Sequence, residues 1–334
     1  GMAAWELPRL PWPRYFIPFD IVSNLLAYAP LGLLITVARL RHGGGSGVAL
    51  ALAVLAGCAL SGAMEITQHL LPLRVPSLLD GVLNAGGALL GALVAMALRG
   101  LGLLSHWQRA RERWLDHGNG GALALLVLWP AALLFPTPVP LGVGQVGGVL
   151  RGALADALEG VPWAEPAAAW LASAAPAAQV LTPLAEGATV LLGLLSPCLL
   201  AFAVARPGWR RAGLALGALG AAVVATTLST VLNFGPDHAM AWRTPVTLGA
   251  LAVALLALAA MLWMGPRLAG ALALVALTGL VVLVHQAPTD PYFAQSLQGW
   301  EQGQFVRFHG LAQWVGWLWP YAAIAWLLGR LGRA

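Results

Sequence analysis

The residues of this 334-residue chain best suited to chemistry lie within its first hundred positions, inside stretches that are otherwise apolar. They form three groups with helical spacing: Asp20 with Asn24, Glu65 with Gln68 and His69, and Asp80 with Asn84. Residues three or four positions apart lie on the same face of a helix. Each of three consecutive helices is therefore predicted to present one polar patch.

The three patches should converge, because the start of the first helix, the end of the second and the start of the third lie on one side of a hairpin bundle. The predicted ligand-binding residues are Asp20, Asn24, Glu65, Gln68, Arg74, Ser77, Asp80 and Asn84. Such a cluster can bind a cation or a polar headgroup, or hold an unusual proton on one acid, which makes Glu65 and Asp80 candidate catalytic residues. The alternative is a purely structural knot, in which Arg74 neutralises the acids and the amides join helices.

The elements that position these patches are predicted to be membrane helices. The chain is 59% hydrophobic and 9% charged, whereas a soluble domain carries about 25% charged residues. This composition excludes a soluble enzyme, a disordered chain and a nucleic-acid-binding module. It indicates an all-α polytopic membrane protein with about nine transmembrane helices, over residues 18–38, 48–71, 78–98, 121–138, 185–205, 212–234, 244–264, 267–285 and 311–329. Cys58 and Cys198 lie in apolar runs, so no disulfide framework or metal site is expected. No cofactor is predicted.

Arginine counting predicts the orientation of these helices. Twelve of the 18 arginines fall in one set of alternate connections and six in the other. The richer side should be cytoplasmic, which places the C-terminus inside the cell and the polar patches near the outer leaflet. Arg9 and Arg14 then lie on the outer side, and a missing helix before Trp5 would explain this.

The chain is predicted to divide into a three-helix region with the polar motifs (15–100), a basic cytoplasmic loop (101–120) and a six-helix region (121–334). The last region includes a long outward loop, 139–184, with two segments suited to surface helices. The first segment carries an apolar stripe of Val149, Leu150, Leu154 and Leu158. This stripe fits either an interfacial helix or a lid packed over the bundle. On the inner side, two arginine-rich runs are interpreted as ordinary topogenic charge that could also attract anionic lipid: Arg109, Arg111 and Arg113 in one, and Arg206, Arg210 and Arg211 in the other.

A second polar group is predicted on the outward side of the six-helix region. Its members are Asp237, His238, Arg243, Asp290, Glu301, Arg307 and His309. A histidine such as His309 can act as acid or base near neutral pH, and the arginines can hold a phosphate or carboxylate. These residues fit equally well as hydrated interfacial loop groups, and no HExxH or CxxC motif accompanies them.

The polar motifs of the first region resemble those of the VanZ-like family. The resemblance is carried in order and spacing by Asp20, Asn24, Pro30 and Gly32, by Glu65 and Gln68, and by Arg74, Ser77, Asp80, Asn84 and Gly87. It covers about residues 15–100. The family is named for a protein associated with teicoplanin resistance, so the resemblance implies a multi-pass protein of the bacterial cytoplasmic membrane.

Three functions remain open at this point. The first is a non-enzymatic protein that binds or moves a lipid, a lipid-linked envelope precursor or a lipophilic glycopeptide at the outer leaflet. The second is an intramembrane enzyme acting on a phospholipid or glycolipid headgroup, with Glu65 or His309 as base and Arg74 as anion holder. The third is an ion-coupled transporter, which requires a polar track that the later spans lack. Partners are thus predicted to be membrane lipids or a lipid-linked amphiphile, and not nucleic acid.

Overall fold

The computed structural model describes residues 18–69, 78–116, 119–173, 181–287 and 309–332, and within these ranges the chain is built from α-helices with a single isolated β-bridge. The helices are α1 Pro18–Arg41, α2 Ser46–His69, α3 Leu78–Gly100, α4 Leu103–Trp114, α5 Gly120–Ala132, α6 Val146–Leu158, α7 Glu165–Ser173, α8 Pro183–Phe202, α9 Trp209–Phe234, α10 Pro245–Ala260, α11 Pro266–Val284 and α12 His309–Leu331. The predicted all-α class is confirmed.

Each of the nine predicted spans overlaps one helix. Six helices in the described residues are long and apolar enough to cross a membrane: α1, α2, α3, α8, α9 and α11. Two further apolar helices, α5 and α10, have only 13 and 16 residues, which is short of the roughly 20 needed for a straight crossing. The protein is therefore a helical multi-pass membrane protein, and the count of nine spans stays a prediction.

The chain divides into two compact units, residues 1–111 and 112–334, with the boundary inside α4. In the first unit α3 packs against both α1 and α2. A Cβ atom built on Gly91 would overlap the carbonyl oxygen of Ala29, and one built on Gly32 would overlap the carbonyl oxygen of Ala88. The backbones of α1 and α3 therefore touch, as expected where small residues line a membrane helix crossing.

The core of the second unit surrounds α8, which packs against α5, α9, α10 and α11. Leu194, Leu199 and Leu200 of α8 are almost fully buried, as are Leu277 and Leu280 of α11. Most buried side chains of α8 are small or aliphatic, and the buried hydroxyls of Thr189 and Ser196 donate to carbonyls of their own helix. Few polar groups in this core therefore need partners from outside their helix.

One predicted boundary in the second unit is wrong. The fourth span was expected to run to residue 138 and the outward loop to begin at 139, but α5 ends at Ala132 and residues 139–144 are buried. Leu141 has a φ of 65°, and α8 approaches it at Gly193, where a Cβ would lie 2.6 Å from the Cβ of Leu141. Closely spaced prolines stop the helix, because proline lacks an amide donor and restricts the residue before it.

Arg211, interpreted from the sequence as ordinary topogenic charge, is not a surface side chain. Its side chain is fully buried and donates five hydrogen bonds to backbone carbonyls, with N···O distances of 2.7–3.3 Å. The acceptors are Phe202 and Ala205 at the end of α8, and Leu262 and Met264 just after α10. Carbonyls at a helix C-terminus have no partner within the helix, and a cation there also complements the helix dipole.

The two surface helices predicted in the outward loop are present as α6 and α7. Val149, Leu150 and Leu154 of α6 are exposed, and so are Trp163 and Trp170 beside and on α7. Leu158, the fourth member of the apolar stripe, is half-buried, so most of the stripe is exposed. Its placement at the membrane interface stays a prediction.

Candidate functional site

Each helix of the first unit contributes one pair of polar residues with a spacing of four. The pairs are Asn24 and Tyr28 on α1, Ser61 and Glu65 on α2, and Asp80 and Asn84 on α3. Four residues correspond to about one turn, or roughly 6 Å along the helix axis. The pairs therefore form two polar tiers near one end of the bundle, an outer tier and an inner tier one turn deeper.

The outer tier consists of Asn24, Asp80 and Glu65. The Nδ2 of Asn24 donates a hydrogen bond to Oδ1 of Asp80 at 2.9 Å, and this bond joins the start of α1 to the start of α3. Glu65 is only 7% exposed. A carboxyl group so deeply placed in a spanning helix is costly and marks a candidate functional position.

The inner tier consists of Tyr28, Ser61 and Asn84. The Nδ2 of Asn84 donates to Oγ of Ser61 at 2.9 Å, and both side chains are buried. Tyr28 lies close enough to Ser61 and to Glu65 to interact with both side chains. The inner tier therefore connects all three helices and joins the outer tier through Glu65.

The Asn84 side chain has an unused polar atom. Its Oδ1 is buried and accepts no hydrogen bond from the described residues. Whichever way the amide group is turned, one of its polar atoms meets Ser61 and the other does not. Because buried amide atoms are nearly always satisfied, this atom is suited to bind a ligand group or an ordered water.

Glycines set the helix spacing that the tiers require. A Cβ on Gly87, three residues beyond Asn84, would overlap the carbonyl oxygen of Leu25. On α2, a Cβ on Gly57 would lie 2.7 Å from the Cβ of Ala88, one turn below Ser61. Since all three helices are in close contact just beneath the tiers, the short side chains of Asn, Ser and Asp can reach across.

The sequence of this three-helix unit identifies its family. The model of the VanZ/LLP1 family matches residues 3–99, the range that holds α1, α2, most of α3 and both polar tiers. Residues 3–99 are a VanZ-like domain. The match covers less than a third of the chain, and no curated protein or solved structure matches it.

Among the predicted ligand-binding residues of the VanZ-like domain, Asn24 is hydrogen-bonded to Asp80, Asn84 lies one turn beyond Asp80 on α3, and Glu65 lies near Tyr28. Ligand binding by these residues stays a prediction. The side chains of Asp20 and Gln68, and all of Arg74 and Ser77, lie outside the described residues. Two members of the tiers, Tyr28 and Ser61, were missed. Their spacing was the available signal, since Tyr28 follows Asn24 by four positions and Ser61 precedes Glu65 by four, but spacing does not separate them from tyrosines and serines that contact lipid.

The second predicted polar group lies in the other compact unit. Asp237 and Arg243 are exposed, and His238 is half-buried on a short 3-10 turn between α9 and α10. Asp290, Glu301, Arg307 and the side chain of His309 lie outside the described residues. Asp237 and Arg243 are thus surface residues, whereas Nδ1 of His238 is buried and has no hydrogen-bond partner among the described residues. The chemistry predicted for this group stays a prediction.

The Ser61–Asn84 hydrogen bond within the VanZ-like domain can be measured by a double-mutant cycle. Replacing either residue by alanine should lower the free energy of unfolding, and the pair should show a coupling of about 0.6 kcal/mol, typical of hydrogen bonds between membrane helices. Thermal unfolding of the full chain in detergent supplies the four values. Thr67→Ala combined with Asn84→Ala is the control, because exposed Thr67 bonds only its own helix and its effect should add independently. Zero coupling between Ser61 and Asn84 would contradict the inner tier.

Proposed function

We propose that the VanZ-like domain binds the polar head of an amphiphile at the outer leaflet: a lipid, a lipid-linked envelope precursor or a lipophilic glycopeptide. The observation that carries the proposal is the pair of polar tiers at one end of three helices whose other faces are apolar. Val22, Leu26, Ile66 and Val82 on these helices are exposed large hydrophobic residues at the level of the tiers. An amphiphile can place its head against the tiers while its tails lie along such faces.

The chemistry of the tiers favours a headgroup rich in hydrogen-bond donors. The six tier residues include two acids, Glu65 and Asp80, and no base. Asn84 adds a buried amide atom that no described residue engages. Hydroxyl or amino groups of a headgroup would supply donors to these acceptors, and hydrogen bonds to charged acceptors are the stronger kind.

An intramembrane enzyme is the second candidate, and one observation favours it. Tyr28 lies near both Ser61 and Glu65, so hydroxyl groups and a carboxyl group are close to one another. A carboxylate beside a hydroxyl can act as a general base for attack on a headgroup. This candidate predicts that a bound amphiphile is chemically converted, whereas the first predicts that it is returned unchanged.

Co-purified lipid tests the proposal. We expect the intact protein, extracted with mild detergent, to retain one amphiphile class above its abundance in the membrane. Glu65→Gln and Asp80→Asn preserve shape but remove charge, and each should lower this retention by about tenfold or more, because a hydrogen bond to a charged group contributes about 1.5–3 kcal/mol. Mass spectrometry of the bound lipid measures the change.

The matched control is Glu159→Gln, which removes an exposed acid elsewhere in the chain and should leave retention unchanged. Size-exclusion profiles and melting temperatures of all variants should match those of the parent. If both tier variants fail to assemble in detergent, the tiers are a structural knot. If they assemble and retain the amphiphile fully, the headgroup binds elsewhere and the proposal is wrong.

A further inference from the structure

Helix α4, Leu103–Trp114, has an apolar face that protein leaves largely uncovered. Leu103, Trp107, Ala110 and Trp114 follow one another at spacings of four, three and four, which places them on one face of the helix. Leu103 is 48% exposed and Trp107 is 54% exposed, and α4 has no buried residue. Only the end of the face is packed, where the Trp114 ring meets Trp209 edge-on at a centroid distance of 5.4 Å.

The connection to α3 separates α4 from the spanning helix that precedes it. The amide of Gly102 donates to the carbonyl of Arg99, and Gly102 adopts a φ of 71°, a left-handed conformation that ends α3. The new helix starts at once, since the amide of His106 donates back to the carbonyl of Gly102. With 12 residues, α4 is about 18 Å long, too short to cross a hydrocarbon core of about 30 Å. It therefore begins at the surface where α3 leaves the membrane.

Basic side chains flank the apolar face of α4. Arg111 and Arg113 lie on its two sides, and Arg109 lies further round, with Glu112 the one acid of the helix. The guanidinium group suits phosphate, because its planar set of donors can form two parallel hydrogen bonds. An apolar face bordered by arginines is the pattern of helices that lie in the headgroup region of a bilayer.

The charge of α4 distinguishes it from the other surface segment. Residues 146–173, which include α6 and α7, also expose apolar side chains, but they carry one arginine, Arg151, against three acids: Asp156, Glu159 and Glu165. An anionic lipid surface would attract α4 and not this segment. We infer that α4 lies on the membrane surface with Leu103, Trp107 and Ala110 facing the acyl chains, and that its arginines bind anionic phospholipid headgroups.

Depth measurements test the placement. In the full chain carrying Cys58→Ala and Cys198→Ala, single labels are introduced through Ala110→Cys on the apolar face and Gln108→Cys on the polar face. In vesicles of phosphatidylcholine mixed with phosphatidylglycerol, the label at 110 should be quenched by nitroxides on the acyl chains and shielded from an aqueous quencher. The label at 108 should behave in the opposite way. Equal access of both labels to the aqueous quencher would overturn the inference.

Lipid selection tests the role of the arginines. Competition between phosphatidylglycerol and phosphatidylcholine for the protein, read by native mass spectrometry, should favour the anionic lipid. Replacing Arg109, Arg111 and Arg113 together by glutamine should reduce this preference by roughly fivefold per arginine. Arg206→Gln, which removes another exposed arginine, should reduce the preference for phosphatidylglycerol by no more than roughly fivefold.

Two outcomes would overturn the lipid assignment. One is an unchanged preference for phosphatidylglycerol in the triple variant with its melting temperature intact. The other is shielding of the label at 110 only when the protein is dimeric, because the apolar face would then be covered by a second copy of the chain and not by lipid.

Discussion

Gly91→Ala should unfold the VanZ-like domain or separate two of its helices. A Cβ at this position would overlap the carbonyl oxygen of Ala29, and backbone cannot rotate away as a side chain can. Added volume in a packed interior costs about 1–3 kcal/mol, and we expect the upper end here. Gly32→Ala, which would overlap the carbonyl oxygen of Ala88 from the opposite helix, should have the same effect.

Gly62→Ala is the matched control. Gly62 lies inside α2, is exposed, and would meet no described atom within 4 Å if it carried a Cβ. Alanine has a higher helix propensity than glycine, so this variant should be as stable as the parent or slightly more so. The temperature at which trypsin begins to cut after Arg39 or Arg41 reports on the first unit alone.

Gly91→Ala should also disturb the polar tiers. Moving α1 away from α3 lengthens the Asn24–Asp80 contact, now 2.9 Å, beyond hydrogen-bonding distance. We therefore expect Gly91→Ala to lose bound amphiphile together with stability, while Gly62→Ala keeps both. Equal trypsin sensitivity of the two variants would mean that α1 and α3 do not touch at this crossing.

The convergence of polar groups in the first unit could be predicted because it depends on connectivity alone. Consecutive spans reverse direction, so Asn24, Glu65 and Asp80 had to meet at one end. Tyr28 and Ser61 were harder to assign, because tyrosine and serine also occur on helix faces that contact lipid. Only their packing in the structure, with Ser61 buried, shows that they belong to the tiers.

In the second unit, hydropathy did not predict the irregular, buried segment that follows α5. Residues 133–145 are apolar enough to continue a span, but prolines break the helix, and tertiary contacts then bury the irregular chain. The hydroxyl of Ser229 donates to the carbonyl of Leu134 at 2.9 Å, and the hydroxyl of Tyr321 donates to the carbonyl of Gly144 at 3.2 Å. Such contacts satisfy non-helical backbone at membrane depth, and they join residues too distant in sequence to be inferred from local pattern.

Arg211 was counted with the arginines that predict orientation, but its side chain is buried. Among substitutions in the second unit, we expect its replacement to lower the free energy of unfolding the most. Arg211→Met would leave the carbonyls of Phe202, Ala205 and Met264 without their donor, and it would also remove the electrostatic attraction between Arg211 and Asp116. Removing one partner from a buried charged network costs about 3–5 kcal/mol. We expect a loss of that size in the free energy of unfolding, measured by denaturant or thermal melting of the full chain.

Arg211→Lys separates charge from geometry. Lysine keeps the positive charge but has three donors on one nitrogen, in place of the five of a planar guanidinium group. It cannot reach the ends of both α8 and α10 at once, so most of the stability should still be lost. Arg206→Gln serves as the control. The Arg206 side chain is exposed, so its replacement should change the free energy of unfolding by less than about 0.5 kcal/mol. Its backbone amide would continue to donate to the carbonyl of Trp114. A lysine variant as stable as the parent would show that charge alone, and not the five-donor geometry, holds these helix ends together.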